Sequence, residues 1–152
     1  MTSPSERLAE LGLALPAVAA PAGSYIPAKA SGSLVFTAGQ VPFVDGKLPK
    51  TGKVGAEVTP EEARDLARVC ALNALAAVDG LVGIDNVKGV VKVVGFVASA
   101  PGFGGQPGVV NGASDLLAEV FGDAGTHARS AVGVAELPID APVEVELIVE
   151  VA

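Results

Sequence analysis

The chain has 152 residues, half of them apolar, which is enough to build one hydrophobic core without disulfides or metals. Seventeen acidic side chains against ten basic ones give a net charge of −7, which disfavours binding to a phosphate backbone. The single cysteine excludes an internal disulfide. Because no apolar leader or long apolar run is present, we expect a single cytoplasmic domain over residues 1–152, without nucleic-acid or membrane partners.

Capping and turn signals mark the first third of the chain. Ser3-Pro4-Ser5-Glu6 predicts the start of a short helix that stops at Gly12. Strand-type residues then predict three extended segments, at 24–29, 34–38 and 43–53. The last of these contains an Asp-Gly pair, which is typical of a hairpin turn.

Two longer helices and three strands are predicted in the remainder. Thr59-Pro60-Glu61-Glu62 combines an N-cap, a proline at N1 and a glutamate at N3, and it predicts a helix to about Asp79. Cys70 lies on the apolar stripe of this helix, so we interpret it as a core residue and not as a nucleophile. The other elements are a helix at 109–121 and strands at 87–99, 129–135 and 143–151.

This order predicts an α+β fold: a six-stranded mixed sheet with two helices on one face, and a short extra helix at the N-terminus. In the final strand, valines and a leucine alternate with Glu144, Glu146, Ile148 and Glu150. One set belongs under the helices. The other set, with Ile148 among carboxylates, faces either solvent or a partner subunit, and we expect an oligomer.

Arg129 is the first candidate for a binding residue. Its guanidinium is permanently charged and presents a planar fork to a carboxylate. The next residues on its face of the strand, Ala131 and Gly133, are small and leave space beside it. One interpretation is a site for a small anion; the other is a salt bridge to Glu144 or Glu146 on the neighbouring strand.

Four further polar residues each have two interpretations. His127 either shares the face of Arg129 or is a solvated loop residue, which we favour. Glu144 either accepts a proton from a bound water molecule or is simply solvated. Tyr25 either donates a hydrogen bond to a substrate or packs, and Asn111 either lines a site or only belongs to the first turn of its helix. With one histidine, one cysteine and no carboxylates at ligand spacing, no metal site is predicted.

Several motifs in the same order resemble the RidA/YjgF family, from about residue 21 to residue 151. They are Gly23-Ser24-Tyr25, Thr37-Ala38-Gly39-Gln40-Val41-Pro42, Ala128-Arg129-Ser130, Leu137-Pro138 and Val143-Glu144-Val145-Glu146. The resemblance implies a chorismate-mutase-like fold, a homotrimer with pockets at the subunit interfaces, and no cofactor. It also implies an activity: hydrolysis of 2-iminobutanoate- or 2-iminopropanoate-type imines and enamines, such as 2-aminoacrylate, to 2-oxo acids and ammonia.

The resemblance also implies roles for individual residues. Arg129 would bind the substrate carboxylate, Tyr25 would lie at the mouth of the pocket, and Glu144 would position the attacking water. Asn111 corresponds approximately to a lining residue of the pocket. Ala131 and Gly39 would complete the substrate-binding set.

The chain departs from the family pattern at three positions. Ala131 replaces a cysteine, Ala38 replaces a serine, and Gly133 stands where a glutamate is common. These changes predict a larger and less polar pocket wall. They motivate an alternative hypothesis, a trimeric protein that binds small carboxylates without catalysis. A third hypothesis, an endoribonuclease, is disfavoured by the net charge.

Overall fold

The computed structural model describes residues 2–21 and 23–152, in which three helices and five strands form an α+β fold. The helices are α1 (Pro4–Glu10), α2 (Pro60–Val82) and α3 (Gln106–Phe121). The strands are β1 (Ala28–Ser31), β2 (Leu34–Thr37), β3 (Val87–Ala98), β4 (Ala128–Val134) and β5 (Val143–Val151). They form one sheet in the order β1-β2-β5-β3-β4, in which only β3 and β4 are parallel.

The predicted sixth strand, at 43–53, is absent from this sheet. Val44 and Lys47 form an isolated bridge around Asp45 and Gly46, which have φ values of 51° and 78°. The Asp-Gly turn signal was therefore right, but the turn does not lead into paired strands. Pro49 follows the turn closely, and because proline has no backbone N–H it cannot donate to a neighbouring strand at that position. The predicted first strand is also displaced, because β1 begins only after Pro27.

The capping box of α2 forms as predicted. Thr59 Oγ1 accepts a hydrogen bond from the Glu62 amide at 3.1 Å, and Glu62 Oε1 accepts one from the Thr59 amide at 3.0 Å. Together with the Lys50 ammonium at 2.7 Å, these bonds lower the pKa of Glu62 to about 2, with Lys50 as the largest cause. By contrast, α3 begins three residues before its predicted start, because Gly105 provides no side-chain cap to mark it.

Helices α2 and α3 contact the strands of the sheet, and the short α1 adds a third helix outside this pair. Helix α2 packs on α3 and β5, and α1 packs on α3. Val143, Val145 and Leu147 of β5 are buried on this side. The opposite face of the sheet carries Glu144, Glu146 and Ile148 of β5 and the exposed apolar side chains of Phe36 and Val132. No helix in the described residues is long and apolar enough to cross a membrane.

Candidate functional site

Helix α3 holds the guanidinium of Arg129. Nη1 donates to Asn111 Oδ1 at 2.7 Å and to Ser114 Oγ at 3.2 Å, and Nη2 donates to the carbonyl of Pro107 at 3.3 Å. All three acceptors are uncharged. The side chain is therefore fixed in direction while its positive charge stays available to an anion.

The alternative salt bridge is not formed, because no carboxylate of the described residues lies within ion-pair distance of Arg129. The strand register explains this. Arg129 pairs with buried Val93 and shares its helix-covered face, whereas Glu144 pairs with Phe96 on the opposite face. Glu146 also lies on that opposite face. Within one chain the cation and the carboxylate are separated by the sheet.

His127 lies in the loop just before β4, as the interpretation that we favoured has it, but it is partly buried and contacts the Arg129 site. Its Nδ1 lies 2.6 Å from the carbonyl of Gly125, and its Nε2 lies 2.9 Å from Ser114 Oγ. A carbonyl oxygen only accepts, so Nδ1 carries the hydrogen and donates. In the neutral ring Nε2 then accepts a hydrogen bond from the Ser114 hydroxyl. Sequence analysis missed Ser114, although it lies one helical turn after Asn111 and on the same face.

Glu144 lies in a separate cavity of about 280 Å³, together with Tyr25 and Gly39. Burial raises the pKa of the Glu144 carboxyl above its ordinary value, and the nearby charge of Glu146 raises it further. A Cβ atom at Gly39 would overlap the Glu144 carboxylate, so a larger residue at this position would displace that carboxylate. Tyr25 is half exposed and lines the same cavity.

The space expected beside the small residues Ala131 and Gly133 is only partly empty. A Cβ at Gly133 would lie 2.7 Å from Nε2 of Gln106, so this side chain fills the space. Gln106 Nε2 donates to Ser99 Oγ at 3.1 Å and to the carbonyl of Phe103 at 2.8 Å. Ala131 itself is partly buried against the core. Sequence analysis missed Gln106 because it directly follows the glycine-rich segment 102–105, which carried no interpretable pattern.

The prediction that Cys70 is a core residue is confirmed. The residue is fully buried, its thiol donates to the Val143 carbonyl at 3.7 Å, and burial raises the pKa of the thiol well above its ordinary value. In the described part of the chain, no three histidine, cysteine, aspartate or glutamate side chains converge in a way that could hold a metal ion.

Residues 5–151 match the family model described as "YjgF/chorismate_mutase-like, putative endoribonuclease". The chain belongs to the YjgF/RidA family. Protein TCP17 of Trypanosoma cruzi is 47% identical over 145 residues, which cover 94% of this chain and 91% of that protein. The family resemblance expected from the motifs is thereby confirmed.

Solved structures of this family share the fold. A "putative endoribonuclease" from Shewanella oneidensis is 35% identical with a TM-score of 0.95, over 98% of this chain and 99% of that one. E. coli TdcF, solved with bound serine, is 26% identical with a TM-score of 0.65, over 90% and 94% of the two chains. The likeness is nearly complete in length in both cases, and it is much closer in geometry to the Shewanella protein.

Proposed function

We propose that this protein hydrolyses small 2-imino acids, and their enamine tautomers, to 2-oxo acids and ammonia. The observation that carries the proposal is the guanidinium of Arg129, which three uncharged acceptors hold in place without any carboxylate partner among the described residues. A substrate carboxylate supplies the negative charge that pairs with this guanidinium. Charge-assisted bonds from an arginine fork to a carboxylate are among the strongest in proteins.

The second group required is Glu144. Because Arg129 and Glu144 lie on opposite faces of the sheet, a site that uses both takes one residue from each of two chains. The exposed apolar side chains on the Glu144 face support contact with a second copy. The proposed assembly is a homotrimer, with three equivalent interface pockets that Tyr25 borders.

The chemistry then requires one positioned water molecule. Arg129 holds the substrate carboxylate, and the Glu144 carboxylate accepts a proton as the water oxygen bonds to C2 of the iminium. Glu144 returns that proton to the nitrogen of the carbinolamine. The C2–N bond then breaks and ammonia leaves, while the hydroxyl proton passes to the Glu144 carboxylate and on to solvent as the 2-oxo acid forms. The raised pKa of Glu144 makes it a better proton acceptor than an ordinary glutamate.

A second candidate function is binding of small carboxylates without turnover. The observation that favours it is the replacement of the family's cysteine and serine by Ala131 and Ala38. TdcF with bound serine shows that a relative holds a small amino acid. In this case 2-oxo acids would raise the melting temperature through Arg129, but no imine would be hydrolysed.

The direct test generates 2-aminoacrylate in the presence of the purified protein and follows pyruvate formation. We expect acceleration over buffer by the wild type and loss of that acceleration in Arg129→Ala. Equal rates for wild type, variant and buffer would exclude the hydrolase. In that event, stabilisation by 2-oxobutyrate in the wild type alone would support the binding function instead.

A further inference from the structure

The turn between β4 and β5 holds an isoleucine in an unfavourable conformation. Ile139 has φ 55° and ψ 26°, the left-handed region that β-branched residues rarely adopt. Its side chain is 60% exposed, so burial within the chain does not compensate for this strain. Strained residues of this kind are concentrated at binding and catalytic sites.

Hydrogen bonds around the turn fix its backbone. The Asp140 amide donates to the Leu137 carbonyl at 3.3 Å, and the Ala141 amide donates to the Pro138 carbonyl at 3.1 Å. The Gly52 amide donates to the Asp140 carbonyl at 3.0 Å, which ties the turn to a distant segment. The direction of the Ile139 side chain is therefore determined by the fold.

That direction leads to the Glu144 cavity, whose lining includes Ile139. The wall is otherwise mostly apolar and includes Ala19, Ala20 and Pro21, from the connector that follows α1. The cavity has a volume of about 280 Å³, and its polar side chains are the Glu144 carboxyl, Tyr25 and Gln40. Such a cavity suits a small molecule that has both a reacting centre and an apolar group.

We propose that Ile139, with Ala19, Ala20 and Pro21, forms a subsite for an apolar substrate side chain. The protein would then prefer 2-imino acids of the leucine type over polar ones of similar shape. This inference rests on the proposed function, because the subsite belongs to the cavity that contains Glu144. Apolar pockets discriminate about 10- to 200-fold for one methylene, so a whole side chain is enough for a measurable preference.

The test compares imines derived from leucine and from asparagine, which have side chains of nearly equal shape. A broad-specificity L-amino-acid oxidase generates them, and semicarbazide competes with the protein for the imine. For the wild type we expect kcat/KM to be at least about 10-fold higher with the leucine-derived imine. In Ile139→Asn this ratio falls at least about fivefold, because a polar side chain replaces the apolar wall.

Asp140→Asn is the matched control, because Asp140 has a similar φ of 60° but does not line the cavity. It should keep the wild-type ratio. Asparagine tolerates the left-handed region, so Ile139→Asn should also raise Tm by about 2–4 °C. A wild-type ratio near one, an unchanged ratio in Ile139→Asn, or loss of both activities together with a lower Tm would overturn the subsite.

Thermal shifts separate this inference from the proposed function. Turnover of 2-aminoacrylate without turnover of either of these imines would overturn the subsite and leave the hydrolase proposal standing. If the wild type hydrolyses neither these imines nor 2-aminoacrylate, the hydrolase proposal fails. The subsite is then tested with 4-methyl-2-oxopentanoate and 2-oxosuccinamate as ligands. Greater stabilisation by the former, lost in Ile139→Asn but kept in Asp140→Asn, would support the subsite as part of a binding protein. Equal shifts from both ligands would overturn it.

Discussion

The guanidinium of Arg129 donates three hydrogen bonds to neutral groups of α3, and these bonds orient it without neutralising it. Arg129→Ala should therefore lower kcat/KM for 2-aminoacrylate by about 100-fold, the equivalent of a lost charge-assisted pair worth about 3 kcal/mol. Steady-state kinetics with coupled pyruvate detection measures this.

Arg129→Lys is the informative control for that experiment. It keeps the charge but loses the planar fork that reaches Asn111 and Ser114, so we expect an activity between those of the wild type and the alanine variant. Wild-type activity in Arg129→Lys would show that charge alone suffices and that the fork has no role.

The raised pKa of Glu144 predicts the pH dependence of turnover. Only the ionised carboxylate accepts a proton, so activity should fall as pH decreases through a pKa above the ordinary value of 4.5. Glu144→Gln should have little activity and lack this acidic limb. A pH–rate profile of kcat/KM measures both, and an unchanged limb in the variant would assign it to another group.

The raised pKa of Glu144 also affects the free energy of unfolding, but here the favourable contribution is lost as pH rises and not as it falls. The folded state favours the neutral carboxyl, so its contribution is fully present below the unfolded pKa of 4.5 and is lost as pH rises through the raised folded value. Ionised Glu144 therefore destabilises the fold at neutral pH. We expect Glu144→Gln to have a higher Tm than the wild type at pH 7, but not at pH 4. Identical differences at both pH values would contradict this assignment.

The capping box provides the corresponding prediction for α2. Thr59→Ala removes the acceptor for the Glu62 amide and should lower the free energy of unfolding by about 1 kcal/mol, as measured by urea denaturation. Thr59→Ser keeps the hydroxyl and should remain within a few tenths of a kcal/mol of the wild type. Equal losses in the two variants would argue for packing of the threonine methyl group instead.

Elements whose ends carry their own chemistry were predictable from the sequence. The α2 start was predicted because Thr59, Pro60 and Glu62 act locally. The α3 start was missed because Gly105 contributes no capping side chain, and the sixth strand failed because pairing depends on a partner strand that local pattern does not supply.

In the candidate site, too, features set by local sequence were predictable and features set by tertiary packing were not. Arg129 and Glu144 were candidates from their residue types and motifs, and their placement on opposite faces follows from strand register. The contacts of Ser114 and Gln106 depend on how α3 packs over β4, which single-residue patterns do not specify. The strain at Ile139 was equally invisible, because its neighbours, and not its own preference, determine its conformation.

At the scale of the whole molecule, the separation of Arg129 from Glu144 predicts complementation between inactive chains. If each site takes these residues from different chains, Arg129→Ala and Glu144→Gln homo-oligomers should both be inactive. After unfolding and refolding together, about a quarter of randomly assembled sites would contain both wild-type residues, so about a quarter of wild-type activity should return. Coupled pyruvate detection on the mixed sample measures the recovery.

The control is Arg129→Ala refolded with the double variant Arg129→Ala/Glu144→Gln. No chain in this mixture has an arginine at position 129, so the mixture should stay inactive. Light scattering on the same samples should give the mass of a trimer. Absence of recovery in properly assembled mixed oligomers would show that the two residues do not form a shared site.

Because Cys70 is buried, chemical labelling of its thiol can be used to measure unfolding of this protein. The thiol is the only one in the sequence, and it is fully buried between α2 and β5, where it does not line the cavity. A thiol reagent can reach it only when the structure opens, so the labelling rate at native conditions reports the free energy of opening. The same labelling experiment can therefore compare the stability of every variant proposed above without adding a probe.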